Sequence, residues 1–144
     1  PAYAVFTILV YTSAERISRC SMLGNEKIMS FVGVSDADKA RAFYRDTLGL
    51  TMLYEDRFAL VFDVGGIMLR VTLVNTVRPQ PYTVLGWQVS DATATARALA
   101  KAGVQPERYP HVEQDEDGIW TAPGGAKIAW FKDPDANILS IAQM

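Results

Sequence analysis

Few residues of this chain are equipped to do chemistry near neutral pH. Its one histidine, His111, is the side chain best suited by its ordinary pKa to general acid or base work. A single histidine excludes every multi-histidine metal site. His111 lies in Tyr109-Pro110-His111-Val112-Glu113-Gln114-Asp115-Glu116-Asp117-Gly118, an acidic, turn-rich stretch that reads either as a solvated hairpin tip or as a lid over a binding face. The one cysteine, Cys20, excludes an internal disulfide and has no CxxC partner. Apart from Arg16 and Arg19, nothing local would activate its thiol. Arg70 is embedded in an apolar run, Ile67-Met68-Leu69-Arg70-Val71-Thr72-Leu73-Val74. A guanidinium there either pairs with Glu55 or Asp63 on a neighbouring strand or stays free to grip a planar anion such as a carboxylate in bidentate fashion. Trp130, Trp120 and Tyr82 could stack on an aromatic or cationic molecule. No nucleophile elbow, P-loop or dinucleotide fingerprint is present, and Gly65-Gly66 and Gly124-Gly125 read as turn glycines.

The elements that position these residues come in two copies. Val34-Ser35-Asp36-Ala37 recurs as Val89-Ser90-Asp91-Ala92, 55 positions later. A repeat of this size dictates architecture. Each copy follows an apolar, strand-like run, Ile28 to Val34 and Val84 to Val89, and precedes a helical segment that stops at a glycine, Gly49 and Gly103. Ser35 and Ser90 stand where N-caps belong, with Asp38 at capping-box spacing from Ser35. Ala37, Ala40, Phe43, Tyr44 and Leu48 recur at helical spacing. Further strands are expected at Thr51–Tyr54, Phe58–Val64 and Ile67–Val74, with Gly65-Gly66 as a hairpin. In the second half they fall at Glu107–Val112, weakly at Trp120–Thr121, and at Lys127–Phe131 and Ile138–Ala142. A turn over Asp133-Pro134-Asp135-Ala136-Asn137 separates the last two.

The expectation is therefore an α+β fold in which two βαβββ repeats form a curved, half-open mixed β-barrel with the helices outside. Residues 26–144 form the domain, with repeats over about 26–77 and 82–144 joined through Arg78-Pro79-Gln80-Pro81. Residues 1–25 are an accessory segment, in which Tyr3–Thr12 reads as an extra strand and Ser13–Ser21 as a helical turn. That segment is either an accessory element or an arm swapped between the two chains of a dimer.

Composition narrows the functional classes. With 144 residues, the chain has room for one core. Lys plus Arg is 14 against 16 Asp plus Glu, a net charge of −2, which argues against a nucleic-acid partner. The apolar stretch from Ala2 to Tyr11 is shorter than the ~20 residues that span a bilayer, and no basic region precedes it. A cytoplasmic protein without a membrane partner is expected.

Three stretches are similar to the vicinal oxygen chelate superfamily, the glyoxalase, bleomycin-resistance and extradiol dioxygenase group. Phe31-Val32-Gly33-Val34-Ser35-Asp36 leads to Phe43-Tyr44 and Leu48-Gly49-Leu50. Val89-Ser90-Asp91 precedes Ala102-Gly103-Val104. Trp130-Phe131-Lys132-Asp133-Pro134-Asp135-Ala136-Asn137 matches the group's closing turn. The resemblance implies a small-molecule site in a cup between the halves, and often a homodimer. In metal-using members it places ligands at four positions that fall here on Met29, Arg70, Val84 and Ser140. A thioether, a guanidinium, an aliphatic group and a hydroxyl make a poor donor set for Zn, Ni, Mn or Fe, so neither a metal nor another cofactor is expected.

Strand alternation then puts Met29, Phe31 and Gly33 on one face, with Arg70 and Thr72, with Val84, Gly86 and Gln88, and with Ile138, Ser140 and Ala142. Val32, Val34, Leu85, Trp87, Val89, Leu139 and Ile141 take the other face, under the helices. The expected ligand contacts are Met29, Phe31, Arg70, Thr72, Val84, Gln88, Trp130 and Ser140, in a mostly apolar cup. The leading expectation is a metal-free protein that holds an amphipathic or aromatic molecule. The first alternative is a metal-independent isomerase or lyase, with Arg70 stabilising an enolate-like anion and His111 or Asp63 moving the proton. The second is a metal-dependent lyase or dioxygenase.

Overall fold

The computed structural model describes residues 22–144. The accessory strand, the helical turn, Cys20 and the swapped arm therefore lie outside the described residues. Each half gives a four-stranded mixed sheet and one helix. In the first half the order along the chain is β1 (Met29–Val34), helix α1 (Ala37–Arg41) running on to Thr47, then β2 (Thr51–Glu55), β3 (Ala59–Val64) and β4 (Ile67–Leu73). In the second it is β5 (Leu85–Gln88), α2 (Ala92–Lys101), β6 (Trp120–Thr121), β7 (Lys127–Lys132) and β8 (Ile138–Gln143). The strand orders are β1-β4-β3-β2 and β5-β8-β7-β6, with β1 parallel to β4 and β5 parallel to β8. A parallel pair needs a crossover connection, and the helix lies within each. The sheets do not close on one another, so the barrel is half-open.

The repeat is visible in the hydrogen bonds. Leu50 donates to the Tyr44 carbonyl at 3.0 Å, and Val104 donates to the Leu99 carbonyl at 2.9 Å. The first helix is one residue longer between cap and glycine. It absorbs that residue by widening to π geometry over Ala42–Thr47, where Leu48 reaches back five residues to Phe43. Gly49 and Gly103 end the helices at φ 71° and 90°, a region in which a side chain is strained.

Two local expectations are corrected. The caps are Asp36 and Asp91, whose carboxylates accept from Lys39 and Ala94. A carboxylate suits the positive end of a helix better than a hydroxyl does. Ser35 is instead drawn to Asp135 through both its N–H and its hydroxyl, and Asp38 pairs with Arg41 at 2.8 Å. The stretch Glu107–Val112 is not a strand. Only Glu107 bonds to β7, at Trp130, while Pro110 removes one donor from the segment and Pro106 another just before it. It turns at Tyr109–Val112 and leaves the two-residue β6 as the sheet edge.

Both sheets bury their helix-side face in one core. Val32, Val34, Tyr44, Phe62, Leu69 and Val71 from the first half join Phe131, Leu139 and Ile141 from the second. A sheet from one half alone would leave this apolar face in water, so the halves stabilise each other.

Candidate functional site

The face turned away from the helices is built from cross-strand rows. In the first sheet Phe31 lies opposite Arg70, Arg70 opposite Val61, and Val61 opposite Tyr54. The neighbouring rows are Met29 with Met68 and Asp63, and Gly33 with Thr72 and Ala59. Ala59 and Val61 are fully buried yet stand outside the main core cluster. Longer side chains of this face are open to solvent: Phe31 is 60% exposed, and Met29 and Tyr54 are each 46% exposed.

Arg70 is the cation of this surface. Its guanidinium donates to the Tyr54 hydroxyl at 3.3 Å and forms no ion pair among the described residues. Asp56 feels the Arg70 charge while its carboxylate accepts from the Phe58 and Ala59 N–H groups, and the two carboxylates expected as partners are engaged elsewhere. Glu55 takes both Arg41 Nε and Nη2, at 3.0 and 2.6 Å, and that pairing holds its carboxyl below the usual range. Asp63 accepts from Gly66 N–H across the hairpin.

In the second sheet Gly86 lies opposite Ser140 and Ser140 opposite Trp130. A Cβ on Gly86 would stand 2.8 Å from Ser140 Oγ, so the bare glycine makes room for that hydroxyl. Trp130 stacks on Trp120 at 6.1 Å and meets Tyr109 edge-on at 5.5 Å, with the His111 ring 6.3 Å beyond Tyr109. Trp130, Tyr109 and His111, with Tyr82 and Thr83, border a cleft of about 260 Å³. Burial, and after it the Glu107 charge, pushes the Tyr109 phenol above its ordinary pKa, so it is a neutral donor at pH 7. The loop beneath is tied down by Gln114, which accepts from Tyr109 N–H at 2.9 Å and donates to the carbonyls of Glu107 and Gly118.

The structure thus gathers Met29, Phe31, Arg70 and Thr72 on one sheet, and Ser140 and Trp130 on the other, with His111 at the rim of the second. It does not bring Arg70 and His111 onto the same sheet. Val84 lies one residue outside β5, donates its N–H to the Ile138 carbonyl and packs against the core cluster. Gln88, at the end of β5, borders a cavity on the helix side. Two participants escaped sequence reasoning. Tyr54 follows a register shift after Met52, a bulge that breaks the two-residue alternation on which side assignments rest. Tyr109 was hidden in the acidic stretch, although its spacing from His111 is that of one strand face.

At the four positions to which the resemblance assigns metal ligands, Met29 and Ser140 offer donors unsuited to a divalent ion, Arg70 a cation, and Val84 no donor. No three His, Cys, Asp or Glu side chains converge among the described residues. The residues present do not fit the metal.

The family model described as Glyoxalase/Bleomycin resistance protein/Dioxygenase superfamily matches residues 27–141. The chain belongs to this superfamily. It is 31% identical over 127 residues to the uncharacterized protein YraH of Bacillus subtilis, covering 77% of this chain and 92% of that one. A glyoxalase family protein from Enterococcus faecalis superposes with TM-score 0.64 at 19% identity, over 82% of this chain and 98% of its own. Lactoylglutathione lyase from Agrobacterium tumefaciens superposes with TM-score 0.63 at 20% identity, over 83% and 95%. At such identities the superpositions establish the fold, and chemistry has to be argued from the site. No described helix is long and apolar enough to cross a membrane.

Proposed function

We propose that this glyoxalase-superfamily protein binds a small aromatic or amphipathic carboxylate, without a metal, on the face of its sheets turned away from the helices. The observation that carries the reading is Arg70: a guanidinium with no ion pair among the described residues, ringed by Phe31, Met29 and Tyr54. An apolar surface with one fixed cation selects a ligand that has an apolar body and one anionic end. Tyr54 steadies the guanidinium for a bidentate grip. The rings of Trp130 and Tyr109 offer a second surface for stacking. A second copy seated on exposed Phe31 and Met29 would complete the half-open face, and sedimentation of the full chain would read that dimer directly.

The test is a calorimetric titration of chelator-treated protein with p-toluate, followed by the Arg70 side-chain NMR signal. Saturable binding that shifts Arg70 and is indifferent to added Ni, Zn or Mn is expected. Binding that appears only once a divalent ion is added would overturn the metal-independent reading. Binding that leaves the Arg70 signal in place would overturn its role.

A further inference from the structure

The internal repeat allows one half to be used as a template for the other. Tyr44 and Leu99 hold the same place in their helices. Each helix starts from an aspartate cap, and each of these two carbonyls accepts from the residue just past the terminal glycine, Leu50 or Val104. In the first half that place is filled by a phenol ring. Tyr44 is fully buried, 5.1 Å from the Phe43 ring and 6.2 Å from the Phe62 ring. In the second half the ring is missing. Leu99 is half-buried, the neighbours on α2 are mostly alanines, and beside Leu99 lies a cavity of about 250 Å³.

The cavity is floored by Trp87, Phe131 and Ile141 from the helix side of the second sheet, and its far wall is Leu48 and Leu50 from the first half. No charged residue lines it. Its polar groups are Gln88 and Thr95, and the Thr95 hydroxyl already donates to the Asp91 carbonyl at 2.7 Å, which leaves its lone pairs to accept. An enclosed apolar cavity of ~150 Å³ already holds one aromatic ring, and this cleft, open to solvent on one side, offers more room. No charged side chain there would offset the desolvation of a charged ring, so a neutral one is favoured.

We propose that the cavity between Leu99, Trp87, Phe131 and Leu48 binds a neutral single-ring aromatic molecule of phenol type, in the place that Tyr44 fills in the first half. This site lies on the helix side of the second sheet, whereas Arg70 lies on the outer face of the first, and it stands independently of the carboxylate reading.

The probe is p-cresol, the tyrosine side chain as a free molecule, titrated into the full chain and followed by methyl NMR and thermal unfolding. Saturable shifts are expected at the methyls of Leu48, Leu50, Leu99 and Ile141, with a Tm that rises with cresol concentration. Leu99→Phe, which refills the cavity, should weaken cresol by about tenfold or more. The absence of saturable shifts up to the solubility of cresol would overturn the proposal. So would shifts centred on Val112 and Ile138 at the aromatic cleft, or unchanged affinity in a folded Leu99→Phe variant. If that variant does not fold, the map of shifted methyls in the unmodified chain decides alone. Binding of p-toluate at Arg70 without cresol in the cavity, or the reverse, separates the two sites.

Discussion

The Tyr44 hydroxyl donates a 2.7 Å hydrogen bond to Asp133 Oδ2, joining the helix of the first half to the closing turn of the second. The same buried carboxylate accepts from the N–H groups of Asp135 and Asn137 through Oδ1, and from Asn137 Nδ2 through Oδ2. Asn137 Nδ2 also reaches the Gly33 carbonyl on β1 at 2.8 Å. Two motifs that look separate along the chain, the Phe43-Tyr44 pair and the Asp133–Asn137 turn, are therefore one contact. It ties the helix and first strand of one half to the closing turn of the other.

Tyr44→Phe should destabilise the fold by about 1.5–3 kcal/mol, the range for a hydrogen bond to a charged group. Ring packing is kept, so any loss reports the hydroxyl and the acceptor left short of a donor. Urea unfolding of the single variants and of Tyr44→Phe with Asn137→Ala checks it. Both side chains serve Asp133, so the double variant should depart from additivity. Simple additivity would show that the network does not act as a unit.

Alkaline stability carries the same signature. Burial first, and then the Asp133 charge, raises the Tyr44 pKa well above its ordinary value. In the unfolded chain the phenol titrates near its usual pH of about 10. Above that pH the unfolded state has released the proton and the folded state has not. The stability Tyr44 contributes is whole below about pH 10 and declines as pH rises, by at most about 1.4 kcal/mol per unit. The stability gap between the natural chain and Tyr44→Phe should narrow from about pH 9.5 to pH 11. A gap constant over that range would contradict the assignment.

Legibility from sequence followed the physics of each element. The repeat, the strands around Val32, Leu60, Val71 and Ile141, and the terminal glycines Gly49 and Gly103 were readable because period, β-branching and positive φ are local properties. The Ser35 cap was misread because Asp135, 100 positions away, takes its hydroxyl. The Glu107–Val112 segment carries Tyr109 and Val112 at strand-compatible positions, but Pro110 interrupts it, and it does not join the ladder. At the site, Arg70, Phe31 and Ser140 could be placed by alternation, since their strands are regular. Tyr54 could not, since the bulge beside it changes sides. The unpaired state of Arg70 was beyond reach, because it depends on Arg41 and Gly66 engaging Glu55 and Asp63 first.

A side chain at Gly86 should force the Ser140 hydroxyl to move. Its Cβ would approach Ser140 Oγ to 2.8 Å, and the strand pairing fixes both backbones. Gly86→Ala is expected to lose about 1–3 kcal/mol through overpacking. Adding Ser140→Gly should restore most of it by removing the obstructing hydroxyl. Thermal unfolding of the two single variants and the double gives the coupling. A Gly86→Ala variant as stable as the parent would mean that the serine can turn away.

Arg70 should read charge rather than shape. If the guanidinium grips a carboxylate, p-toluate should bind and the isosteric neutral amide, p-toluamide, should bind about 10–100-fold more weakly, the equivalent of one charge-assisted pair. Arg70→Met should erase that preference while leaving the residual affinity of the amide. Arg70→Lys should recover only part of it, because an ammonium keeps the charge but cannot match both carboxylate oxygens. Added salt should weaken the acid and not the amide. Lowering pH through about 4 should do the same, as the ligand loses its charge while the arginine keeps its own. Equal affinity for acid and amide, or an Arg70→Met variant that still prefers the acid, would move the anion site elsewhere on the molecule.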